Sequence, residues 1–242
     1  MKETFAWYSP RLEQPVDVVR WGHYGVPVLL FPTAGGDAEE IERFLMIKAL
    51  TPLLAAGAIK VYSCDSVAGR AWLTGEHSPL HCSWLQNQYD GFVYYELVPL
   101  IRGDCRSNDI EVVTAGASIG AFNAVASLCR HPDVFRLAIG MSGTYNLERF
   151  AQGLVTQDLY FSSPLHYLPN LRECAQLERL RQRFVLLATG EGRWEDPGES
   201  WRLAQVLGAK GIPNRVDPWG PHYDHDWVTW REMLPKYLEE LI

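Results

Sequence analysis

A serine, a carboxylate and a histidine, which together could carry out acyl transfer, follow successive predicted strands. Ser118 is the first of them. It stands in Gly116-x-Ser118-x-Gly120, between the β-branched run Ile110–Thr114 and the apolar helical pattern Ala121–Arg130. A serine on such a sharp strand-to-helix turn exposes its hydroxyl above the sheet edge, and flanking glycines leave room for the strained backbone. Because the following helix points its N-terminus at this position, the Ile119 N–H can stabilise a negative charge beside the serine. The motif therefore predicts a nucleophilic serine.

A histidine that could activate this serine lies near the end of the chain. His225 precedes Asp226, a good N-cap for the last predicted helix, which would hold the imidazole at the helix entrance. His222 lies further out, and we expect it to contact substrate or solvent. A neutral imidazole takes the serine proton, while a carboxylate fixes its tautomer and stabilises the imidazolium. The order serine, acid, histidine thus predicts a triad with His225 as the base.

The acid of the triad is expected in the polar loop that follows the predicted strand Arg183–Thr189. Glu191 lies too close to the strand end to reach the histidine easily, and a proline after Asp196 restricts the backbone there. Glu195 follows Trp194, whose ring we expect to pack inward and anchor the loop. We favour Glu195 and keep Asp196 as the alternative acid.

Other interpretations of these residues are weaker. Ser142 also follows a predicted strand, but it lacks the flanking glycines. His77 and His81 would suit a metal only on a helix, and we expect a loop over Asp65–Ser83 because it contains a glycine and a proline. A second group of residues that could bind a metal is His222, Asp224, His225 and Asp226. No further cluster of ligands is evident elsewhere in the sequence. We predict neither a metal nor a cofactor.

The elements that must position these residues alternate between strand and helix from Val26 onward, after a short antiparallel pair within Met1–Arg20. Further strands are predicted at Val26–Phe31, Ile59–Cys64, Phe135–Gly140, Arg183–Thr189 and Asn214–Trp219. Helices are predicted at Glu39–Ala56, Trp84–Arg102, Ser200–Gly208 and Trp227–Leu241. The alternation predicts a single α/β domain over residues 1–242, with a mostly parallel central sheet and helices on both faces.

Two further segments are expected to meet substrate. The glycine-rich loop Pro32–Asp37 ends a buried strand, and Ala34 is our first choice for the second oxyanion donor. The long aromatic connection 145–180 predicts a lid-like insertion, although a ragged crossover helix explains it equally well. The residues expected to bind substrate are Thr33, Gly35, Trp72, Gln88 and Tyr145.

Composition narrows the class of partner. The 242 residues carry a net charge of −7, which argues against nucleic acid or an anionic membrane as partner. The N-terminus shows no apolar signal segment, and the longest apolar runs are too short to span a bilayer. Five scattered cysteines without a CxxC pair indicate reduced thiols and a cytoplasmic location. The sequence leaves self-association open.

The chain resembles the putative esterase family of α/β-hydrolases, which includes esterase D-like, feruloyl esterase-like and mycolyltransferase-like enzymes. The matching pieces are Phe31–Gly36, Asn87–Tyr89, Thr114–Gly120, Ala188–Glu191, His225–Trp227 and Met233–Tyr237. The resemblance implies an α/β-hydrolase fold and hydrolysis of small-molecule carboxylic esters by Ser118 and His225, with oxyanion donors from Ile119 and the Thr33–Gly35 loop. The departure is the acid loop, since relatives place the acid where this chain has Arg193. A non-catalytic hydrolase-like binding module and an acyltransferase with the same triad remain alternatives.

Overall fold

One eight-stranded sheet forms the centre of the computed structural model, which describes residues 1–242. Its strands are β1 Lys2–Ser9, β2 Gln14–Trp21, β3 Val26–Phe31, β4 Ile59–Cys64, β5 Val112–Ala117, β6 Phe135–Met141, β7 Phe184–Thr189 and β8 Asn214–Pro218. They lie in the order β1-β2-β4-β3-β5-β6-β7-β8. The pairs β1–β2 and β2–β4 are antiparallel, and the six strands from β4 to β8 run parallel. The prediction of a mostly parallel sheet is confirmed.

Helices of very different lengths connect these strands. They are α1 Glu40–Arg43, α2 Met46–Ala49, α3 Thr51–Ala55, α4 Val67–Thr74, α5 Pro79–Phe92, α6 Val98–Asp104, α7 Ile119–Arg130, α8 Gln157–Ser162, α9 Pro164–Tyr167, α10 Ala175–Leu180, α11 Pro197–Ala209 and α12 Trp227–Leu241. A π-helical segment, Val93–Leu97, joins α5 to α6, and a 3₁₀ turn, Leu168–Asn170, follows α9. No helix combines the length and apolar composition that a membrane crossing requires.

The sheet is covered on both faces by apolar cores of unequal size. The larger core contains side chains of α4 to α11, among them Phe122 of α7 and Leu203 of α11. The smaller core contains Ile41 of α1, Met46 of α2 and Leu234 of α12. Because β5 lies between the two cores, all six of its residues are buried. Its carboxyl end is therefore a rigid support for the serine that follows it.

Two of the predicted segments differ from the structure. The loop predicted over Asp65–Ser83 is wrong, since it contains α4 and the first residues of α5. Its glycine and proline are helix boundaries: Gly75 is a left-handed C-cap with a φ of 66°, and Pro79 occupies the first position of α5. The single helix predicted over Glu39–Ala56 is instead divided into α1, α2 and α3.

Candidate active site

Ser118 occupies the turn between β5 and α7 in a backbone conformation that few residues adopt. Its φ is 57° and its ψ is −123°, and a positive φ is unfavourable for a residue with a side chain. A Cβ atom on Gly116 would lie 2.3 Å from the carbonyl carbon of Gly120, and one on Gly120 would lie 2.6 Å from the oxygen of Pro32. Both glycines are therefore required for the close approach of strand, turn and helix.

The turn opens into a cavity of about 300 Å³ at the carboxyl edge of the sheet. Six of the residues predicted to form the site line this cavity, namely Ala34, Trp72, Ser118, Ile119, Asp196 and His225. They come from five separate parts of the chain, and the parallel sheet brings them together because its strands end at one edge. The hydroxyl of Ser118 has no hydrogen-bond partner within the protein, so it is free to face a ligand.

His225 lies between the cavity and a buried carboxylate. Its Nδ1 atom is 3.8 Å from Oε1 of Glu195, whose side chain is only 1% exposed. Burial raises the pKa of Glu195, against the lowering effect of hydrogen bonds from the hydroxyls of Ser142 and Thr189. Burial also lowers the pKa of His225 from 6.5, and the positive charge of Arg149 lowers it further. The imidazole is therefore held in its neutral form, as a general base must be.

The loop that carries Glu195 is fixed to the segment that carries His225. The backbone N–H of Arg193 donates to Asp224 Oδ1 at 2.7 Å, and its guanidinium donates twice to Asp224 Oδ2. The N–H of His225 in turn donates to the carbonyl of Arg193 at 3.0 Å. Asp226 caps α12 by accepting from two N–H groups of its first turn. These bonds set the distance between acid and base.

The other two candidate acids have different surroundings. Asp196 is exposed and caps α11, accepting a hydrogen bond from the Gly198 N–H at 3.1 Å. Glu191 is also exposed, and its backbone N–H donates to the carbonyl of Gly220. The expectation that Trp194 packs inward is wrong, because its side chain is 89% exposed. The loop is anchored by Arg193 and Asp224 instead.

Sequence reasoning missed the role of two residues behind the acid. Ser142, which follows β6, donates its hydroxyl hydrogen to Glu195 Oε1 at 2.5 Å and accepts from Trp230 Nε1 at 2.9 Å. The ring of Trp230 also packs edge-on against His225, with centroids 5.1 Å apart. The position of Ser142 at a strand's carboxyl end was an available signal. Trp230 gave none, since its spacing is that of any core residue in an amphipathic helix.

The predicted oxyanion donors lie on the cavity wall beside Ser118. Neither the Ala34 N–H nor the Ile119 N–H donates a hydrogen bond within the protein. The N–H of Thr33 is not free, because it donates to the buried carboxylate of Glu40 at 2.7 Å, and the Thr33 hydroxyl donates to the same group. Glu40 thus fixes the loop, and Ala34 and Ile119 present the two free donors.

The residues predicted to bind substrate are only partly assembled in the cavity. Trp72 lines it and donates its indole N–H to Gln86, whereas Thr33, Gly35 and Gln88 do not line it. Tyr145 does not line the cavity either: its ring is buried against Gly140 and Gly143, where no side chain would fit, and its hydroxyl has no partner. From the segment 145–180, Arg149 and Phe150 reach the cavity; Phe150 is one of the aromatic residues of the predicted substrate segment, whereas Arg149 carried no sequence signal.

Three of the side chains considered as metal ligands have other contacts. His77 and His81 pack ring against ring, with centroids 4.7 Å apart, and Asp224 is paired with Arg193. No group of three or more His, Cys, Asp or Glu side chains is arranged to hold a metal ion.

Comparisons with known proteins identify the family and the fold of this chain. The model of the family described as "Putative esterase" matches residues 72–240. A ferulic acid esterase superposes with a TM-score of 0.75 at 18% identity, over 100% of this chain and 99% of the other. The S-formylglutathione hydrolase of Agrobacterium tumefaciens superposes with a TM-score of 0.74 at 13% identity, over 99% and 94% of the two chains. The fluorophosphonate-binding serine hydrolase F of Staphylococcus aureus gives 0.67 at 15% identity, over 99% and 97%. At the level of sequence, no curated protein matches.

Proposed function

This chain belongs to the putative esterase family, and from that premise we propose that it is a serine carboxylic-ester hydrolase with a Ser118–His225–Glu195 triad. It has the α/β-hydrolase fold and is an esterase. The proposal adds the residues and the acyl-serine intermediate. The observation that carries it is the buried carboxylate of Glu195, the one carboxylate within 4 Å of a His225 ring nitrogen, behind a histidine that shares a cavity with Ser118.

In the proposed mechanism, Ser118 Oγ attacks the ester carbonyl while His225 takes its proton. The negative charge that develops on the carbonyl oxygen is stabilised by the Ala34 and Ile119 N–H groups, with the N-terminus of α7 behind them. His225 then gives the proton to the departing alcohol, and a water molecule, activated by His225, releases the acid from Ser118. Glu195 keeps the imidazole oriented and stabilises its charged form.

The 3.8 Å between His225 and Glu195 is longer than a hydrogen bond. Catalytic hydrogen bonds are often long in unliganded enzymes and shorten when substrate binds. We propose that a small rotation of the imidazole closes this gap. The cytoplasmic location also remains a proposal, supported by five cysteines that are free thiols.

A fluorophosphonate probe tests the proposed nucleophile directly, because it reacts only with an activated hydroxyl. We expect one modification per chain, on the peptide that contains Ser118, and none in Ser118→Ala. Ser142→Ala is the matched control, because it removes the competing serine of the same cavity and should keep its label on Ser118.

Three results would favour other functions. Absence of labelling in the folded wild type would favour a non-catalytic binding module. Loss of aryl-ester turnover on adding a chelator would favour a metal-assisted hydrolase. Ester formation from an added alcohol, exceeding hydrolysis, would favour an acyltransferase.

A further inference from the structure

Trp194 stands at the mouth of the cavity in an unusual state. Its side chain is 89% exposed although it lines the cavity, and its φ is 66°. Large aromatic side chains are seldom left in water, and a left-handed backbone is unfavourable for a residue that is neither glycine nor asparagine. The indole N–H of Trp194 donates no hydrogen bond within the folded protein, and its ring contacts no other aromatic ring. An exposed tryptophan beside a catalytic cavity is explained if its ring is covered by a ligand.

The backbone that carries the indole is held in place by its neighbours in the chain. Arg193, before it, is bonded to Asp224 through both backbone and guanidinium, and Glu195, after it, is bonded to Ser142. The ring therefore projects from a loop whose two flanking residues are fixed. Because the backbone is already fixed on both sides, a flat partner that binds the ring has only the ring's own rotamers to restrict.

The chemistry at Ser118 indicates which half of an ester meets this ring. His225 gives its proton to the departing alcohol, so the alcohol lies on the His225 side of the cavity. Trp194 belongs to the loop whose Arg193 carbonyl accepts from the His225 N–H. At the same mouth, Leu73 is 61% exposed and Phe150 is 38% exposed, which continues the apolar rim. A cavity of about 300 Å³ is at the lower limit for a ligand site, so a large alcohol would extend into this rim.

We propose that Trp194 is a specificity-determining residue that stacks on an aromatic alcohol moiety of the ester substrate. The inference rests on the proposed function and adds to it the substrate class, esters of aromatic alcohols. Phe150, whose ring carries the Arg149 guanidinium 4.8 Å from its centroid, borders the same site.

The test compares two acetate esters that form the same acetyl-enzyme, 2-naphthylmethyl acetate and ethyl acetate. The measured quantity is the ratio of their kcat/KM values, which reports acylation alone and cancels general damage to the triad. In Trp194→Ala we expect this ratio to fall by about tenfold, the size of a lost aromatic contact. Trp194→Asn removes the ring but suits the left-handed backbone, so it should show the same loss. Trp194→Phe should restore most of the ratio.

The matched control is Trp201→Ala, which removes another exposed tryptophan, 50% exposed on α11 and outside the cavity, and should leave the ratio unchanged. A ratio that stays within twofold in both Trp194→Ala and Trp194→Asn would overturn the proposal. So would a loss confined to an acyl-side series, methyl 2-naphthylacetate against methyl acetate. Failure of the proposed function looks different, because the wild type would then hydrolyse neither acetate through Ser118.

Discussion

The serine side of the cavity and its acid–histidine side are built by different means. On the serine side, β5, the turn and α7 are contiguous in the chain, and eleven of the twelve α7 residues are buried. On the other side, the loops at 190–196 and 220–226 are about thirty residues apart, have only one buried residue between them, and are joined by polar bonds. Apolar packing fixes the nucleophile, whereas hydrogen bonds and one ion pair fix the groups that activate it. The nucleophile's position is thus a local property, and the activation machinery depends on long-range contacts.

The largest effect should come from the histidine. His225→Ala removes the base and should lower kcat by several orders of magnitude, on the order of 10⁵ to 10⁶ by analogy with triad knock-outs. His222→Ala, which removes an exposed histidine outside the cavity, should stay within about threefold of wild type. Steady-state kinetics with 4-nitrophenyl acetate measure both variants. The reverse ranking would make His222 the base. The hydrogen bonds around His225 would then not be what positions the activating group.

The contrast between the two sides also sets what the sequence could predict. Gly116-x-Ser118-x-Gly120 identifies its own turn, because the steric requirement acts between neighbours in the chain. The alternation of strands and helices likewise predicted the sheet. The inward packing of Trp194 was wrongly predicted, because loop anchoring depends on Arg193 meeting Asp224, a contact between distant residues. The roles of Ser142 and Trp230 were missed for the same reason.

The next effect in size concerns the acid. Glu195→Gln keeps the shape of the side chain but cannot stabilise an imidazolium, so kcat should fall roughly 10³- to 10⁴-fold. Asp196→Asn is the matched control: asparagine caps helices as well as aspartate, so α11 and the activity should be preserved to within about tenfold. Thermal unfolding of both variants checks that the fold is intact. If Asp196→Asn is the variant that loses activity, the acid is Asp196 and the buried carboxylate is structural.

A smaller effect should come from the hydroxyl behind the acid. Ser142→Ala removes the hydrogen bond to Glu195 and leaves the Trp230 N–H unpartnered. Hydrogen bonds to charged groups contribute about 1.5–3 kcal/mol, so kcat/KM should fall about ten- to a hundredfold. Because that bond lowers the pKa of Glu195, its loss should raise that pKa towards that of His225. Activity requires both groups to have lost their protons, so the acidic limb of the pH profile should also move to higher pH.

The control for this variant is Ser200→Ala, which removes another buried serine hydroxyl, one that has no partner. It should leave both kcat/KM and the pH profile unchanged. A fall in stability for Ser142→Ala without any movement of the acidic limb would make Ser142 a packing residue.

The smallest expected effect tests whether the charge of Arg149, in the segment 145–180, changes the pKa of His225. His225 must be neutral to accept the serine proton, so kcat/KM should rise with pH as the imidazole loses its proton. Burial is the main cause that lowers the pKa of His225, Arg149 lowers it further, and Asp226 opposes them. The midpoint of the acidic limb should therefore lie below 6.5.

Arg149→Gln removes one of the causes that lower the pKa of His225, so the midpoint should move upward. Activity should be lost near the limb and change little on the plateau. Arg202→Gln, on α11 and outside the cavity lining, should not move it. If the midpoint moves downward in Arg149→Gln, or moves equally in both variants, the pKa of His225 is determined by the loops at 190–196 and 220–226 alone.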